Sequence, residues 1–251
     1  MDSLSLALFI TYLHQRGYAT ATIRTIVAGV SYHHKIIGLP DPASSFIIAK
    51  AFQGIQKLNP SMDKRQPISL DLLHKLCDAL DTFNLPTYEQ KLFRTMFLCA
   101  FYGLCRISEL TGKPENHTLL ATDVVVHAKQ TKCFLTFRTY KHSKGSQSVT
   151  IYQQATSQYC PVRAMIAYIS LRPSETTYLF STSNGQPVPR LLFSYMLKKC
   201  LLKYNLNTRY YTSHSFRIGG ATLAARIGMP SLVIQHLGRW RSSAFLKYIR
   251  L

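Results

Sequence analysis

The chain has 251 residues, 47% of them hydrophobic, which suffices for one large domain or two modest ones with apolar cores. Lysine and arginine number 30 against 11 aspartates and glutamates, a formal net charge of +19. Such a basic folded chain indicates an anionic partner, with nucleic acid favoured over an anionic membrane surface, another polyanion or a merely basic surface, and no apolar run is long enough to span a membrane.

The first 58 residues have the apolar spacing of helices. Apolar residues recur every three to four positions in "SLALFITYLHQRG", "TATIRTIVAGVSYHHKIIG" and "SSFIIAKAFQGIQKL", which predicts three helices. Gly17 and Gly38 stand where C-caps belong, and Pro40 and Pro42 end the second helix. The polar stretch 59–69, with two prolines, then predicts a linker.

The rest of the chain predicts a helical domain with one small sheet. Ser69 is the expected N-cap of a helix in "LDLLHKLCDAL", and "TYEQKLFRTMFLCAFYGLCRISEL" predicts one long buried helix. Three strands are predicted in "DVVVHA", "KCFLTFRTY" and "SQSVTIYQ", the last two joined by the loop "KHSKGS". Helices resume in "CPVRAMIAYISLR", "VPRLLFSYMLKKCLLKYN", "TSHSFRIGGATLAARIGM", "SLVIQHLG" and "SAFLKYIRL". The expected fold class is mainly α with a small antiparallel β-sheet (α+β), in two domains, 1–62 and 63–251.

The cysteines and the first residues indicate the compartment. The six cysteines form no C-x-x-C pair, and no histidine stands at zinc-ligand spacing from them, so a structural zinc is not expected. Several lie in apolar runs such as "MFLCAFYGLC", where cysteine acts as a small hydrophobic residue. The start, "MDSLSLALFI", lacks the basic region and cleavage site of a secretory signal. We therefore expect a reduced, intracellular protein, nuclear in a eukaryote and otherwise in the cytoplasmic nucleoid.

Four separate stretches carry residues suited to one reaction. They are "GLCRISEL", "TYKHSKGS", "SHSFRIGGAT" and "LGRWRSSAFLKYIR", and together they supply arginine, lysine, histidine, tryptophan and tyrosine. Phosphoryl transfer needs such a set, because planar guanidinium groups match the charged non-bridging oxygens of its transition state. A nucleophile and a proton donor for the leaving oxygen complete the requirement.

These stretches resemble the tyrosine recombinase (phage integrase) family, and "HSFRIGGAT" followed by "LGRW" and "YIR" is most similar to the recombinases of eukaryotic DIRS-like and Crypton-like transposable elements. The resemblance covers residues 60–251, and the helical start resembles a short core-binding (SAM-like) DNA-binding domain. It implies DNA recombination and integration without a metal or nucleotide cofactor: a tyrosine attacks the scissile phosphate, forms a 3′-phosphotyrosyl link and frees a 5′-hydroxyl. It also implies double-stranded DNA as partner and a homo-oligomer, a tetramer on paired sites.

The first two stretches supply one arginine and one lysine of the implied site. Arg106 matches the arginine that clamps a non-bridging phosphate oxygen, with Glu109 orienting it; an ordinary ion pair at i,i+3 is the structural alternative. Lys141 matches the hairpin lysine, the expected general acid for the 5′-oxygen. Lys144 is its competitor, and a solvated loop lysine is the alternative for both.

The third stretch supplies the H-x-x-R pair, His214 and Arg217. At i and i+3 they project from one face at a helix start, where backbone N–H groups favour an anion; the alternative is a core histidine beside a surface arginine. Gly219 and Gly220 follow inside the helix, where each costs about 1 kcal/mol relative to alanine. They predict the close approach of another backbone, either the helix bearing Arg106 or the tyrosine segment.

The fourth stretch supplies a hydrogen-bond donor and the nucleophile. Trp240, the single tryptophan, matches the position where the family has a histidine or tryptophan that donates to the phosphate; a core tryptophan is the alternative. The chain reads L-G-R-W where L-G-H is commoner, so Arg239 occupies the usual histidine position, and His236 is a further alternate. Tyr248 matches the nucleophile, with an ordinary helix-face tyrosine as the alternative.

Two other functions stay open at this point. One is a domesticated or inactive copy that binds DNA without cleaving it. The other is an enzyme like a type IB topoisomerase, which uses the same chemistry without joining two sites.

Overall fold

The computed structural model describes residues 1–58, 63–112, 117–140 and 145–251, with Ser157 described by its backbone alone. The chain divides into two compact units, Met1–Lys64 and Arg65–Leu251. This division lies close to the boundary expected between residues 62 and 63.

The first unit contains three helices, α1 (Ser3–Gln15), α2 (Thr20–Ile36) and α3 (Phe46–Leu58), as predicted. Gly17 and Gly38 follow the ends of α1 and α2 with φ of +81° and +71°, the left-handed conformation expected of C-terminal glycines. One apolar cluster holds the unit together, formed by Leu6, Ile10, Leu13, Ile23, Val27, Ile48, Phe52 and Ile55.

The second unit is built around one buried helix. Its helices are α4 (Leu70–Thr82), α5 (Thr87–Tyr102), α6 (Ile107–Leu110), α7 (Pro161–Ile169), α8 (Arg190–Lys203), α9 (Ser213–Arg226) and α10 (Ser231–Leu237). Ser69 caps α4 as predicted, since its hydroxyl accepts a hydrogen bond from Leu72 N at 3.1 Å. Every residue of α5 from Leu92 to Phe101 is buried, so this helix forms the centre of the core.

The prediction of one continuous helix over residues 87–110 is wrong. Helix α5 ends at Tyr102, and α6 begins only at Ile107. Between them Leu104 has a φ of +45°, and the N–H groups of Leu104 and Cys105 bond back to the carbonyls of Phe101 and Ala100. These two bonds are a Schellman motif with leucine at the position that glycine usually takes. The break turns the Leu104 carbonyl away from the helix ladder, where it accepts side-chain donors.

The sheet is a three-stranded antiparallel meander, as predicted. Its strands are β1 (Val124–Val126), β2 (Lys132–Phe137) and β3 (Gln147–Tyr152), in the order β1-β2-β3. Val124 pairs with Leu135, and Phe137 pairs with Gln147. Alternate residues of β2 are buried, which places Phe137 against the core at the end nearest the hairpin loop.

Helix α9 passes unusually close to α5 and to the segment before α4. A Cβ added to Gly219 would lie 1.8 Å from the carbonyl oxygen of Ile68, and one added to Gly220 would lie 2.2 Å from that of Phe101. The predicted close approach is therefore confirmed, and the backbones involved belong to the end of α5 and to Ile68 rather than to the tyrosine segment. This contact fixes the middle of α9 beside the end of α5 and the break that follows it.

The helices and the cysteines were also compared with the expectations from the sequence. Where the structure places residues, it has no helix that is long and apolar enough to cross a membrane. All six cysteines are free and buried, in keeping with the expected role of cysteine as a small apolar residue.

Candidate active site

The start of α9 places His214 and Arg217 on one face, as predicted. Thr212 caps the helix: its hydroxyl accepts from His214 N at 3.2 Å, and its own N–H donates to the Ser215 hydroxyl at 3.1 Å. His214 is half-buried, whereas Arg217 is fully buried. The alternative of a surface arginine is therefore wrong.

Arg217 lies at the centre of the site. Its Nη1 donates to the Leu104 carbonyl and its Nη2 to the Gly238 carbonyl, and its guanidinium carbon lies 3.9 Å from the centroid of a Trp240 ring. Among the described residues its buried Nε has no hydrogen-bond acceptor. Burial, and then the charges of Arg106 and Arg239, lower the pKa of Arg217 to about 9, so it remains a cation at neutral pH. A buried cation with an unsatisfied donor is suited to binding an anion.

Arg106 lies beside it as the N-cap of α6. It is half-buried, and its Nη1 donates to Glu109 Oε1 at 3.0 Å while its Nη2 donates to the Arg239 carbonyl at 3.2 Å. The expected pairing with Glu109 is present, and Glu109 also accepts from Arg106 N at 2.7 Å. Burial would raise the pKa of Glu109, but the charges of Arg239 and Arg106 outweigh it, so that this pKa lies below its usual value.

In the stretch L-G-R-W, the side chains of Arg239 and Trp240 have different partners. Arg239, at the usual histidine position, has a φ of +54° and forms a buried ion pair with Glu109 at 2.7 Å. Trp240 packs on the other side, against Arg217. His236 is exposed at the end of α10, and its carbonyl accepts a hydrogen bond from Gln147 Nε2 at 2.6 Å. Of these three candidates for the histidine/tryptophan role, Trp240 is the one that stacks on Arg217.

The Trp240 ring also covers the backbone of Gly238. A Cβ on Gly238 would lie 1.6 Å from Cζ3 of the indole, so any larger residue there conflicts with the ring as placed. The indole is half-buried rather than part of the main core, and its ring centroid lies 4.9 Å from that of Tyr248.

Tyr248 ends a 3₁₀ helix, Ser243–Tyr248, which corrects the α-helix expected for "SAFLKYIRL". Its ring centroid lies 4.9 Å from that of His214 and 5.5 Å from the Arg217 guanidinium carbon. The segment is fastened to α9, because the Thr222 hydroxyl, which donates to the Ile218 carbonyl at 2.8 Å, accepts from Arg250 N at 3.0 Å. The structure thus brings together Arg106, His214, Arg217, Trp240 and Tyr248, which are far apart in the sequence.

Comparison with known proteins gives matches among solved structures. No protein-family model matches the chain, and no curated protein is similar to it. The Tn1549 transposon integrase in complex with circular intermediate DNA is 15% identical at a TM-score of 0.67, over 100% of this chain and 81% of that one. The site-specific recombinase XerH, bound to a palindromic difH substrate, is 12% identical at a TM-score of 0.67, over 100% and 67%. A lambda integrase dimer bound to a COC′ core site is 14% identical at a TM-score of 0.65, over 100% and 65%.

The chain has the tyrosine recombinase fold. At these identities the similarity establishes the fold alone, and the mainly α architecture with a small antiparallel sheet is the one expected from the sequence. The closer relation to DIRS-like and Crypton-like recombinases stays a prediction.

Within the tyrosine recombinase fold, the expected lysines fall in the hairpin between β2 and β3. Lys141 and Lys144 lie outside the described residues, so their roles stay predictions. The described ends of the hairpin, Tyr140 and Gln147, line a cavity of about 250 Å³ together with Arg239 and Trp240. The described residues on either side of this loop therefore lie near Arg239 and Trp240.

The arrangement groups side chains of the types that phosphoryl transfer uses. In the described part of the chain, no three histidine, cysteine or acidic side chains are grouped so as to hold a metal ion. Arg217 keeps a buried Nε without an acceptor among the described residues, and the Tyr248 phenol packs near both the His214 imidazole and the Trp240 indole.

Sequence reasoning missed the carbonyl of Leu104. It accepts from both Arg217 and Arg239, and so joins the two buried arginines. A leucine with positive φ gives no signal in sequence, because the left-handed conformation is predicted from glycine or asparagine. The adjacent Gly103 was the one available hint that α5 ends there.

Proposed function

We propose that this chain is a tyrosine recombinase, which cleaves and rejoins DNA with Tyr248 as its nucleophile. The observation that carries the proposal is the convergence of His214, Arg217 and Trp240 on the Tyr248 ring. His214 and Arg217 lie on α9, Tyr248 ends the 3₁₀ helix, and Trp240 lies in the segment between α10 and that helix. Thr222 of α9 fastens the tyrosine segment, because its hydroxyl accepts a hydrogen bond from Arg250 N.

The reaction conserves the phosphodiester bond energy. The Oη of Tyr248 loses its proton and attacks phosphorus, and the bond from phosphorus to the 5′-oxygen breaks as that oxygen takes a proton. A 3′-phosphotyrosyl link and a free 5′-hydroxyl result. Attack by a 5′-hydroxyl on the link then releases the tyrosine and closes a DNA strand, so the step needs no external energy source.

The described side chains supply stabilisation and one proton acceptor. Arg106 and Arg217 would each donate to a non-bridging oxygen, where negative charge grows in the transition state; removing one such donor typically costs about 10²–10³ in rate. The indole N–H of Trp240 would add a third donor. His214, whose ring centroid lies 4.9 Å from that of Tyr248, would accept the proton of the phenol. Lys141 remains the predicted donor to the 5′-oxygen.

DNA is the proposed substrate and partner. The net charge of +19 supports an anionic polymer, and the Tn1549 integrase, XerH and lambda integrase structures all contain DNA. We further infer that Met1–Lys64 is a DNA-binding core-binding domain and that several copies of the chain, four on paired sites, act together. A mobile genetic element is the proposed origin, with action in the nucleus or nucleoid, where the DNA lies.

The experiment uses a pool of random-sequence duplexes, each nicked near its centre, in buffer with EDTA. Cleavage beside the nick releases a short fragment bearing the 5′-hydroxyl, which diffuses away and leaves the protein trapped on the DNA. The expected result is an SDS-resistant adduct with the natural chain, and its absence with Tyr248→Phe, which should still bind DNA.

The matched control is Tyr152→Phe, which removes the hydroxyl of a 62% exposed tyrosine on β3. This variant should form the adduct normally. If the protein slows the electrophoretic migration of DNA but forms no covalent adduct, it binds DNA without cleaving it. If the chain forms the adduct and relaxes supercoiled plasmid but never joins two duplexes, it is a topoisomerase.

A further inference from the structure

The guanidinium of Arg239 is enclosed by protein on all sides. Its side chain is fully buried, and its central carbon lies 3.7 Å from the centroid of the Phe137 ring. A guanidinium has five N–H donors. All five are used here, by Glu109 Oε1 at 3.3 Å, Glu109 Oε2 at 2.7 Å, and the carbonyls of Leu104 at 3.1 Å, Gly103 at 3.3 Å and Leu237 at 2.8 Å. Arg239 has no donor left for a substrate phosphate.

The two neighbouring arginines differ from it in this respect. Arg217 keeps a buried Nε without an acceptor among the described residues. Arg106 uses two of its five guanidinium N–H groups within the part of the chain that the structure describes. An anion would therefore be held by Arg106 and Arg217.

Arg239 shares its acceptors with both of them. Glu109 Oε1 accepts from Arg239 Nε and from Arg106 Nη1, and the Leu104 carbonyl accepts from Arg239 Nη2 and from Arg217 Nη1. The carbonyl of Arg239 itself accepts from Arg106 Nη2. One buried side chain thus fixes the partners that orient both arginines.

We propose that Arg239 is a positioning residue, which holds Glu109 and the Leu104 carbonyl so that Arg106 and Arg217 present their unused donors to one phosphoryl oxyanion. The proposal deepens the proposed function and rests on it only for the identity of the anion as a DNA phosphate. Lysine cannot replace Arg239, because an ammonium offers three donors from one atom and lacks the planar face that stacks on Phe137.

The test is a titration with inorganic sulfate, whose charge is constant around neutral pH. Trp240 is the single tryptophan of the chain and lies 3.9 Å from the Arg217 guanidinium carbon, so its fluorescence reports binding at this site. The proteins compared are the natural chain, Arg239→Lys, Arg106→Ala and the double variant.

Arg94→Lys is the matched control. Arg94 is also a buried arginine, with 8% of its surface exposed. It donates to the Asp81 carboxylate and to the carbonyls of Cys77 and Gln158, and shares none of these partners with Arg106, Arg217 or Arg239. Its replacement reports the effect of disturbing a buried arginine on stability alone.

Arg239→Lys should weaken sulfate binding by about tenfold in the natural chain but by about threefold or less in the Arg106→Ala background, because residues that act through one another are not additive. Arg94→Lys should leave the affinity within about twofold, since distant sites do not couple. If Arg239→Lys does not fold, Glu109→Gln takes its place in the same cycle, because the proposal routes the effect on Arg106 through that carboxylate.

Three results would overturn the proposal. An equal loss in both backgrounds would show that Arg239 itself binds the anion. An unchanged sulfate affinity, with a lowered melting temperature as in Arg94→Lys, would show a merely structural residue. A natural chain that binds no sulfate would show that the two arginines are not an anion site. If the sulfate results hold and the natural chain forms no DNA adduct, the positioning role stands and the proposed function fails.

Discussion

Replacing Gly238 by alanine should detach Trp240 from the site without unfolding the protein. Gly238 has φ and ψ of −82° and −1°, a conformation that alanine adopts without strain. Its added methyl group would lie 1.6 Å from Cζ3 and 2.0 Å from Cε3 of the indole. Since ordinary contacts begin near 3.4 Å, the ring must retreat by roughly 2 Å.

That retreat has a calculable consequence for Arg217. A ring that moves from 3.9 Å to about 6 Å leaves the range of a cation–π interaction, which is worth about 0.5–2 kcal/mol. If the transition state uses this contact, cleavage slows by about 2- to 30-fold. A larger loss would follow if the indole N–H also donates to the phosphate.

The assay combines three measurements on Gly238→Ala. Trp240 fluorescence reports the ring, thermal melting reports the fold, and the rate of adduct formation on nicked DNA reports the chemistry. Gly29→Ala is the control, because a Cβ on Gly29, inside α2, meets no atom within 4 Å and should stabilise the helix by about 1 kcal/mol. Unchanged fluorescence together with an unchanged adduct rate would show that the position of Trp240 does not depend on Gly238.

Three further predictions concern packing, pH and salt. Gly219→Ala should lower the free energy of unfolding in urea by at least about 1–3 kcal/mol, because its methyl group meets the Ile68 backbone; a neutral effect would show that α9 can shift. The pKa of Glu109 is lowered on folding, so its stabilisation is present above its unfolded pKa of about 4.3 and is lost as pH falls through the folded value. The stability advantage over Glu109→Gln should therefore shrink below about pH 4, and a constant difference would contradict this. DNA affinity should fall steeply with salt, and a flat response would contradict a phosphate-binding surface.

Periodicity and capping residues were enough to predict most elements of the fold. The three helices of the first unit, the Ser69 cap and the three-stranded meander all follow from local patterns, because each depends on residues that are neighbours in sequence. The site was found differently, through the resemblance of four short stretches, since no local rule relates Arg106 to Tyr248.

The features of the fold and the candidate site that the sequence did not predict depend mainly on contacts between segments distant in sequence. Leu104 adopts positive φ where its carbonyl accepts from Arg217 and Arg239, residues more than a hundred positions later. For the same reason the sequence could not decide between Arg239 and Trp240: the direction of each side chain is fixed by Glu109 and Arg217. The tyrosine segment forms a 3₁₀ helix rather than an α-helix, a distinction that apolar spacing does not make.

The proposed role of Tyr248 is tested by identifying the bond that joins protein to DNA. The trapped adduct would be digested with nuclease and protease, and the modified peptide and the DNA end would be analysed by mass spectrometry. We expect the 3′-phosphate of a DNA strand to be joined to Tyr248 and the released fragment to carry a free 5′-hydroxyl. A link to another residue, or to the 5′-phosphate, would contradict this expectation.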